Sequence, residues 1–582
     1  MKKEISNVLI ATPRYGVKGI RILTMPAVAG ELLNYGREFN INLIDNNLDD
    51  INPDEKIDLL CLSALSYNFP YAVKIAREFK RYQPETPIIL GGPYATIMLR
   101  GLRGREGHNE KEILERLRGE FNGKALFDSI ICGEMEGLGG KILSGVEACI
   151  NGRPNELNPF YESEHPPDMA ILPRPRVELL DKWKYIPRGF PIELTRGCKN
   201  ACNFCGQWIL YPTFRTNTEA NIRRDIEARD MDLIALADLN VGADIDALIR
   251  FTRIIKEYKL KWGAQMCIDV LDNDIFLDIV AGSGFQAYVG LETISRQGLA
   301  SINKLRVNAG FENPVERYKR IIRKAKLLAG ITVASGFITG LDNVDINTCK
   351  DSIDFFEEVG IAYITPTDLT YYPGTPIHKS LVEMGRIEPN FPLEKTDGLH
   401  IMMTPNNRSK EDVYKEKEYI LDNFYSFRSI INRAWKNKFD NFIDLIGFFS
   451  ENLWFKSWYD FYTGKKWWIP KTRFKDGEKN KKKGERENGG KGEGEDGKFY
   501  VSKLGKSLNL LMAAMSPSKI EYKDGKLVAD FRYKHSLMRN EELFKKHMEE
   551  DTYQLSGWFT LLHYYLDAKF KLRKWKEKHK FD

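Results

Sequence analysis

Three cysteines crowd one short stretch of this chain. Residues 195–208 read Thr-Arg-Gly-Cys-Lys-Asn-Ala-Cys-Asn-Phe-Cys-Gly-Gln-Trp, so Cys198, Cys202 and Cys205 share one loop. Thiolates are soft ligands that select iron–sulfur clusters, zinc or copper(I). A structural zinc site is normally closed by four ligands, and an ordinary 4Fe–4S cluster also takes four cysteines. No fourth Cys or His lies nearby in sequence. Three thiolates in one loop therefore suggest a cluster with one iron left open for a non-protein ligand. A zinc site with a distant fourth ligand, or three unrelated buried cysteines, are the alternative readings. Bunched cysteines in a cytosolic chain point to metal or catalysis and not to a disulfide framework. Cys61, Cys132, Cys149, Cys267 and Cys349 are scattered and read as small buried hydrophobes, most clearly Cys61 and Cys132 within apolar runs.

The elements that would position this loop follow from the apolar pattern. The chain has 582 residues, too many for one core, so two or three domains are expected. Residues 1–150 alternate apolar runs (Val8–Ala11, Ile41–Ile44, Leu59–Leu62, Ile88–Leu90, Ser129–Cys132) with amphipathic stretches such as Tyr71–Tyr82. That is the pattern of a parallel sheet covered on both faces, a Rossmann-like, flavodoxin-like α/β domain. Ligands bind outside the carboxyl ends of such strands. Here those ends carry Ser63, Gly91-Gly92 and Gly133-Glu134. The glycines could admit a ligand, though Gly91-Gly92 could simply make a tight turn. Residues 151–185 are rich in proline and read as a linker. A second α/β series follows: Pro191–Leu194, Leu233–Leu236, Trp262–Cys267, Ala287–Leu291, Thr332–Phe337 and Ala362–Leu369, with helices such as Asp244–Tyr258 and Pro314–Ala329 between. Six strand–helix units over 186–386 predict a partial (β/α)6 barrel of TIM type, with its chemistry at the C-terminal strand ends. The cysteines come directly after its first strand.

This spacing, with Phe204 just before the third cysteine, resembles the signature loop of the radical S-adenosylmethionine (SAM) superfamily. The resemblance implies that the open iron of a 4Fe–4S cluster on Cys198, Cys202 and Cys205 chelates SAM and splits it, on one-electron reduction, to methionine and a deoxyadenosyl radical. It extends to Gly290-Leu291-Glu292, where Glu292 would face SAM. It extends also to Gly336-Phe337-Ile338-Thr339-Gly340, where Gly336, Ile338 and Gly340 would contact the adenine. Asp238 and Asn240 resemble a polar pair often found after the second strand. Pro373-Gly374-Thr375-Pro376 and Gly385-Arg386-Ile387 look like the end of the barrel in a subgroup with an N-terminal cobalamin-binding-type domain. Leu90-Gly91-Gly92-Pro93 and Cys132-Gly133-Glu134 sit where that domain's motifs sit, which implies Ser63, Gly91, Gly92, Gly133 and Glu134 as cobalamin neighbours. The Asp-x-His-x-x-Gly signature is absent and no histidine precedes His108, so this domain is not expected to supply an axial histidine.

Beyond residue 386 the chain turns helical and aromatic: a helical domain over 387–474, a Lys/Glu/Gly segment over 475–497 that cannot offset its ordering entropy and is expected to be disordered, and a basic, helical segment over 498–582. Trp454, Trp458, Trp467 and Trp468, with Trp558, Trp575 and the lysines around them, suit a membrane–water interface. The same residues could equally build a helical core. No apolar run of membrane-spanning length occurs, and Met1–Ser6 runs straight into a strand, so a cytoplasmic protein, peripheral at a membrane, is expected. The net charge of +6 is small for this length, and no RNA-binding module is visible. Relatives with this layout, as the resemblance has it, include hopanoid methylases, archaeal tetraether-lipid ring-forming enzymes and tetrapyrrole cyclases. The leading expectation is C–H functionalisation of an apolar lipid, by ring closure or methylation, with a reductase or ferredoxin as electron donor. A tetrapyrrole or soluble natural product is the second reading, and a non-catalytic iron–sulfur or cobalamin sensor the third.

Overall fold

The computed structural model describes residues 3–13, 24–46, 51–103, 109–180, 190–228, 233–308, 312–388, 390–406, 408–439, 442–462, 519–523 and 526–530. Two compact units divide the chain, Met1–Asn452 and Leu453–Asp582.

The first unit contains two parallel sheets. Strands β1 (Asn7–Thr12), β2 (Asn40–Asp45), β3 (Leu59–Ser63), β4 (Ile88–Gly91), β5 (Ser129–Cys132) and β6 (Phe160–Glu162) form the first, in the order β2-β1-β3-β4-β5-β6. All five pairings are parallel. Helices α1 (Thr24–Leu33) and α4 (Gly139–Ile150) cover one face through Met25, Leu32, Ile142 and Val146. Helices α2 (Phe69–Tyr82) and α3 (Pro93–Leu102) cover the other through Ala72, Phe79, Tyr94 and Leu99. With both faces buried, the strands carry unbroken apolar runs such as Val8–Ala11. The proline-rich stretch is more than a linker: its Phe160–Glu162 docks beside β5 as the sixth strand. Only three residues pair there, too few to show a period in sequence.

Strands β7 (Phe190–Ile192), β8 (Leu233–Leu236), β9 (Lys261–Met266), β10 (Phe285–Glu292), β11 (Thr332–Thr339) and β12 (Ile364–Asp368) form the second sheet, ordered as in the chain. Every neighbouring pair is parallel. This is the expected partial barrel. Its helices begin and end on readable signals. Asp244 caps α6 (Ile245–Tyr258), accepting from the Ala247 N–H. Asn313 caps α8 (Pro314–Ala329), and Gly330 closes it in the left-handed region at φ 63°. The outward face of the sheet is aromatic: Trp262 packs on Phe251 of α6 and on Phe285. The concave face carries small residues that pair across strands, Ala235 with Gly263 and Gly290 with Gly336, alongside Gln286 and Tyr288 on the same face as Gly290.

Helices α10 (Lys410–Phe424), α11 (Phe427–Ala434) and α12 (Phe442–Tyr462) follow. The guanidinium of fully buried Arg433 donates to the carbonyls of Ile361, Ala362 and Phe424, tying α11 to the last barrel strand. From α12, Asp444 pairs with Lys261 at the start of β9, and Glu451 hydrogen-bonds Gln286 at the start of β10. Burial pushes the Glu451 carboxyl up to about 7. A carboxyl whose folded pKa lies above its unfolded value of about 4.5 costs no stability below that value, and the full amount above about 7. Glu451→Gln is therefore expected to be neutral at pH 4 and to stabilise by about 1–3 kcal/mol at pH 8. Urea unfolding at the two pH values checks it; an equal difference at both would contradict the assignment.

In the second unit the described residues are the end of α12, Leu453–Tyr462, and two antiparallel strands, β13 (Lys519–Lys523) and β14 (Lys526–Asp530). The expectation of a helical segment over 498–582 does not hold at these strands. Lys-Ile-Glu-Tyr-Lys and Lys-Leu-Val-Ala-Asp flank Asp524-Gly525, a hairpin signature in sequence. The Lys/Glu/Gly segment 475–497 and the tryptophans at 467, 468, 558 and 575 lie outside the described residues.

Candidate active site around the cysteine loop

The loop is braced where it leaves β7. Buried Asp238, just past β8, accepts from the Leu194 N–H at 2.9 Å, the Thr195 N–H, and the Thr195 hydroxyl at 2.6 Å. Burial pushes this carboxyl up to about 7 against three hydrogen bonds that hold it down. Asp238 thus spends its acceptors on the backbone that launches the cysteine loop. Thr195–Arg196 then pairs antiparallel with Arg215–Thr216. Gly197 turns at φ 90°, where a Cβ would meet the Thr213 carbonyl at 2.8 Å, so only glycine fits. Asn240 reaches the loop itself: its amide lies 3.7 Å from Cys198 Sγ, and its oxygen accepts from the Cys267 N–H at 3.2 Å.

Two later segments staple the loop. The Asn203 N–H donates to the Ile302 carbonyl at 3.3 Å, its amide to the Ser301 carbonyl at 2.8 Å, and the Asn303 amide to the Ala201 carbonyl at 2.8 Å. From the end of the barrel, the Ile377 N–H donates to the Asn203 carbonyl at 3.1 Å. Phe204 packs into an apolar cluster with Ile302, Ile338, Leu369 and Tyr371. Cys202 sits between the residues these bonds hold.

The three cysteines feel one another electrostatically. Burial pushes the Cys202 thiol up to about 11 and raises Cys205 as well, while the Lys304 cation pulls both down. Among the described residues, no three Cys, His, Asp or Glu side chains converge as ligands of a single ion. Three thiols of one loop that interact with one another are soft donors of the kind an iron–sulfur cluster takes. A fourth cysteine, read from sequence as a scattered hydrophobe, also comes here. Cys267 follows β9, accepts from the Asn200 amide at 2.9 Å, and interacts with Cys198, Cys202 and Lys304. Its position at a C-terminal strand end was the signal available in the sequence.

The residues expected from sequence to face SAM lie on and next to β10 and β11. A bulge after Gly290 pairs Gly290 with Gly336 and Glu292 with Phe337, which leaves Glu292 at φ 63°. Its carboxylate accepts from buried Lys304 Nζ at 2.5 Å and lies 3.5 Å from where a Gly336 Cβ would stand. Ile338 is buried in the cluster that holds Phe204. Gly340 turns at φ 78° against Val413. Glu292, Gly336, Ile338 and the cysteine loop therefore face one region.

The first sheet abuts this region through its C-terminal strand ends. Gly206, next after Cys205, lies against Ile97 of α3 and Tyr372; a Cβ there would stand 3.3 Å from Ile97. Gly101 of α3 meets Pro373-Gly374 backbone to backbone. Arg196 binds Glu193 at 2.9 Å, Glu134 at 2.6 Å and Glu136 at 2.7 Å, and Arg215 takes the other Glu134 oxygen at 2.7 Å. Glu134 therefore bridges the two sheets, and both its oxygens are engaged there. Gly92, at φ 96°, would drive a Cβ into Ser63 Oγ and the Ala64 backbone at 2.7–2.9 Å. The Gly133 N–H donates to Thr96 Oγ1 at 2.8 Å, and a Cβ at Gly133 would clash with the Arg100 guanidinium. Protein contacts thus account for a glycine at Gly92 and Gly133. At Gly91 a Cβ would meet only an ordinary contact with Ile131.

Residues 192–356 match the family model described as "Radical SAM superfamily". Bacteriochlorophyllide d C-8(2)-methyltransferase of Chlorobaculum tepidum is 25% identical over 433 residues, 68% of this chain and 86% of its own. Hopanoid C-2 methylase of Rhodopseudomonas palustris is 25% identical over 239 residues, 39% of this chain and 44% of its own. Among solved structures, the radical SAM methyltransferase TsrM from Kitasatospora setae aligns at 16% identity over 66% of this chain and 80% of its own, with a TM-score of 0.48. The cysteine loop at the mouth of a six-stranded parallel half-barrel and the matched family model lead to one conclusion: residues 192–356 carry a radical SAM domain, the kind of enzyme domain that works with a 4Fe–4S cluster and SAM.

Proposed function

We propose that the chain methylates an unactivated carbon of a large, mainly apolar polycyclic molecule, with Cys198, Cys202 and Cys205 holding the cluster and cobalamin lying between the first sheet and the cysteine loop. The observation that carries this reading is the packing of Gly206 against Ile97, which sets the cysteine loop beside the helix that starts at Gly92. A methyl carrier there would lie next to SAM. When bound, the cluster and SAM supply one-electron cleavage of SAM and hydrogen abstraction from carbon. The chain's own part is to hold and enclose. Asp238, Asn203 and Ile377 fix the loop, and α12 closes the far end of the barrel through Glu451 and Gln286. Such enclosure keeps a reactive carbon species from water. The relatives' printed substrates, a bacteriochlorophyllide and a hopanoid, are both large ring systems, which supports the substrate class.

The test uses the full chain, reconstituted anaerobically with iron, sulfide and hydroxocobalamin, given methyl-labelled SAM, a low-potential reductant and cell extracts of tetrapyrroles or polycyclic lipids. Methylation predicts deoxyadenosine, S-adenosylhomocysteine and label in one extract. Deoxyadenosine without S-adenosylhomocysteine would replace methylation with ring closure.

Membrane contact is a part of the same reading. Among the described residues no helix is long and apolar enough to cross a bilayer. Leu327 (84% exposed), Leu328 and Trp435 (84% exposed) are nevertheless unburied large apolar side chains. Lys326 draws their segments together by donating to Asn437 Oδ1 at 2.9 Å. With exposed Lys436 and Lys438, this surface suits an anionic interface. Co-sedimentation with phosphatidylglycerol vesicles, lost on Trp435→Ser, is the expected result; a protein that stays in the supernatant removes this element.

A further inference from the structure

Lys304 is a buried cation without an assigned task. It follows Ser301–Asn303, the segment whose backbone and side chains grip Ala201 and Asn203 on either side of Cys202. Its side chain is 7% exposed. The ammonium donates to the Gly290 carbonyl at 3.0 Å and to Glu292 Oε1 at 2.5 Å. A Cβ on residue 290 would stand 2.5 Å from Nζ, so the glycine opens the seat that Lys304 occupies. Asn308 donates to the Gly290 and Leu291 carbonyls at 2.9 Å and fixes the same turn. A lysine is rarely buried so deeply unless something nearby needs its charge. Glu292 supplies one negative charge and makes the pair neutral. Cys202 and Cys267 both feel the cation.

We propose that Lys304 is a positioning residue for the cluster's electron: anchored on Gly290 and Glu292 beside the loop that carries Cys202, its ammonium offsets the negative charge that the cluster takes up on reduction. The inference rests on the cluster assignment above. The redox step is a single electron passing from a low-potential reductant to the cluster, with no bond formed or broken in the protein. In the intact pair the lysine and glutamate cancel. Lys304→Met turns the pair from neutral to −1 and should make reduction harder. Glu292→Gln turns it from neutral to +1 and should make reduction easier. The double variant, neutral again, should return towards the native value. Such a cycle isolates the charge from the packing.

The experiment is a potentiometric titration of the reconstituted full chain with titanium(III) citrate, without SAM, followed by the electron paramagnetic resonance of the reduced cluster, with iron and sulfide assayed in each variant. Lys304→Met is expected to lower the equilibrium constant for reduction at least tenfold, about 59 mV for one electron. Lys304→Arg should hold the native potential, Glu292→Gln should shift it the other way, and the double variant should fall between. Full iron content with an unmoved potential in Lys304→Met would overturn the inference. If Lys304→Met fails to load iron, an unmoved potential in Glu292→Gln would overturn it instead. Absence of iron and of any resonance in the native chain would refute the cluster assignment itself, and so is told apart.

Discussion

A Cys202→Ala chain, reconstituted without oxygen, should lose its iron, its sulfide and its brown colour, and should release no deoxyadenosine from SAM above a protein-free control. A Cys267→Ala chain treated the same way should keep all three. The contrast matters because a fourth thiol, Cys267, lies within electrostatic reach of Cys198 and Cys202. If the site were a closed zinc centre, Cys267 would be its fourth ligand, and both variants would fail alike. What sets Cys267 apart is its place after β9, outside the loop: its sulfur accepts from the Asn200 side-chain amide and its N–H donates to Asn240, while Cys198 within the loop also accepts from Asn200 and Asn240. Cys202 has no such engagement among the described hydrogen bonds, and the residues on both sides of it are clamped. Iron and sulfide assays with the absorbance spectrum read cluster content, and chromatography of the SAM products reads cleavage. An active, brown Cys202→Ala chain would contradict the assignment outright.

The second large effect belongs to Arg196. Its guanidinium is 9% exposed and meets Glu193, Glu134 and Glu136, while Arg215 shares Glu134. Two of those carboxylates come from the end of β5 and one from the end of β7, so the arginine is the charge that lets two acidic strand ends meet. Burial pushes the Glu193 carboxyl up, and Arg196 pulls it back down. Arg196→Met keeps most of the volume and removes the compensation, leaving three buried or half-buried carboxylates against one arginine. Breaking a buried pair on one side costs about 3–5 kcal/mol. We expect that loss in urea unfolding of the cluster-free chain, with a smaller loss for Arg196→Lys, which keeps the charge but not the fork. Unfolding within about 0.5 kcal/mol of native would show the network to be worth no more than a surface pair.

Much of the fold was legible because its signals are local. Every strand expected from an apolar run is present within two residues. The helix read as Pro314–Ala329 has those bounds, because Asn313, Pro314 and Gly330 are all punctuation with a physical cause. The three-residue strand at Phe160–Glu162 escaped because so short a segment has no period. The pair β13–β14 flanks Asp524-Gly525, a local turn signal of the same kind.

By itself the amino-acid sequence determined that three thiols share a loop, that this loop follows the first strand of a half-barrel, and that a second α/β sheet precedes it. Those are facts of spacing and periodicity, and neighbours along the chain decide them. Tertiary structure alone decided which distant groups serve the loop. Lys304, Asn240, Asn303 and Cys267 reach it from 35 or more residues away in sequence, through strand ends that only the closed sheet brings together. It also decided that Asp238 and Glu134, polar residues at strand ends, spend their oxygens on backbone and arginine. A carboxylate's partner is set by which donors the packed strands leave beside it, and one-dimensional spacing carries no record of that.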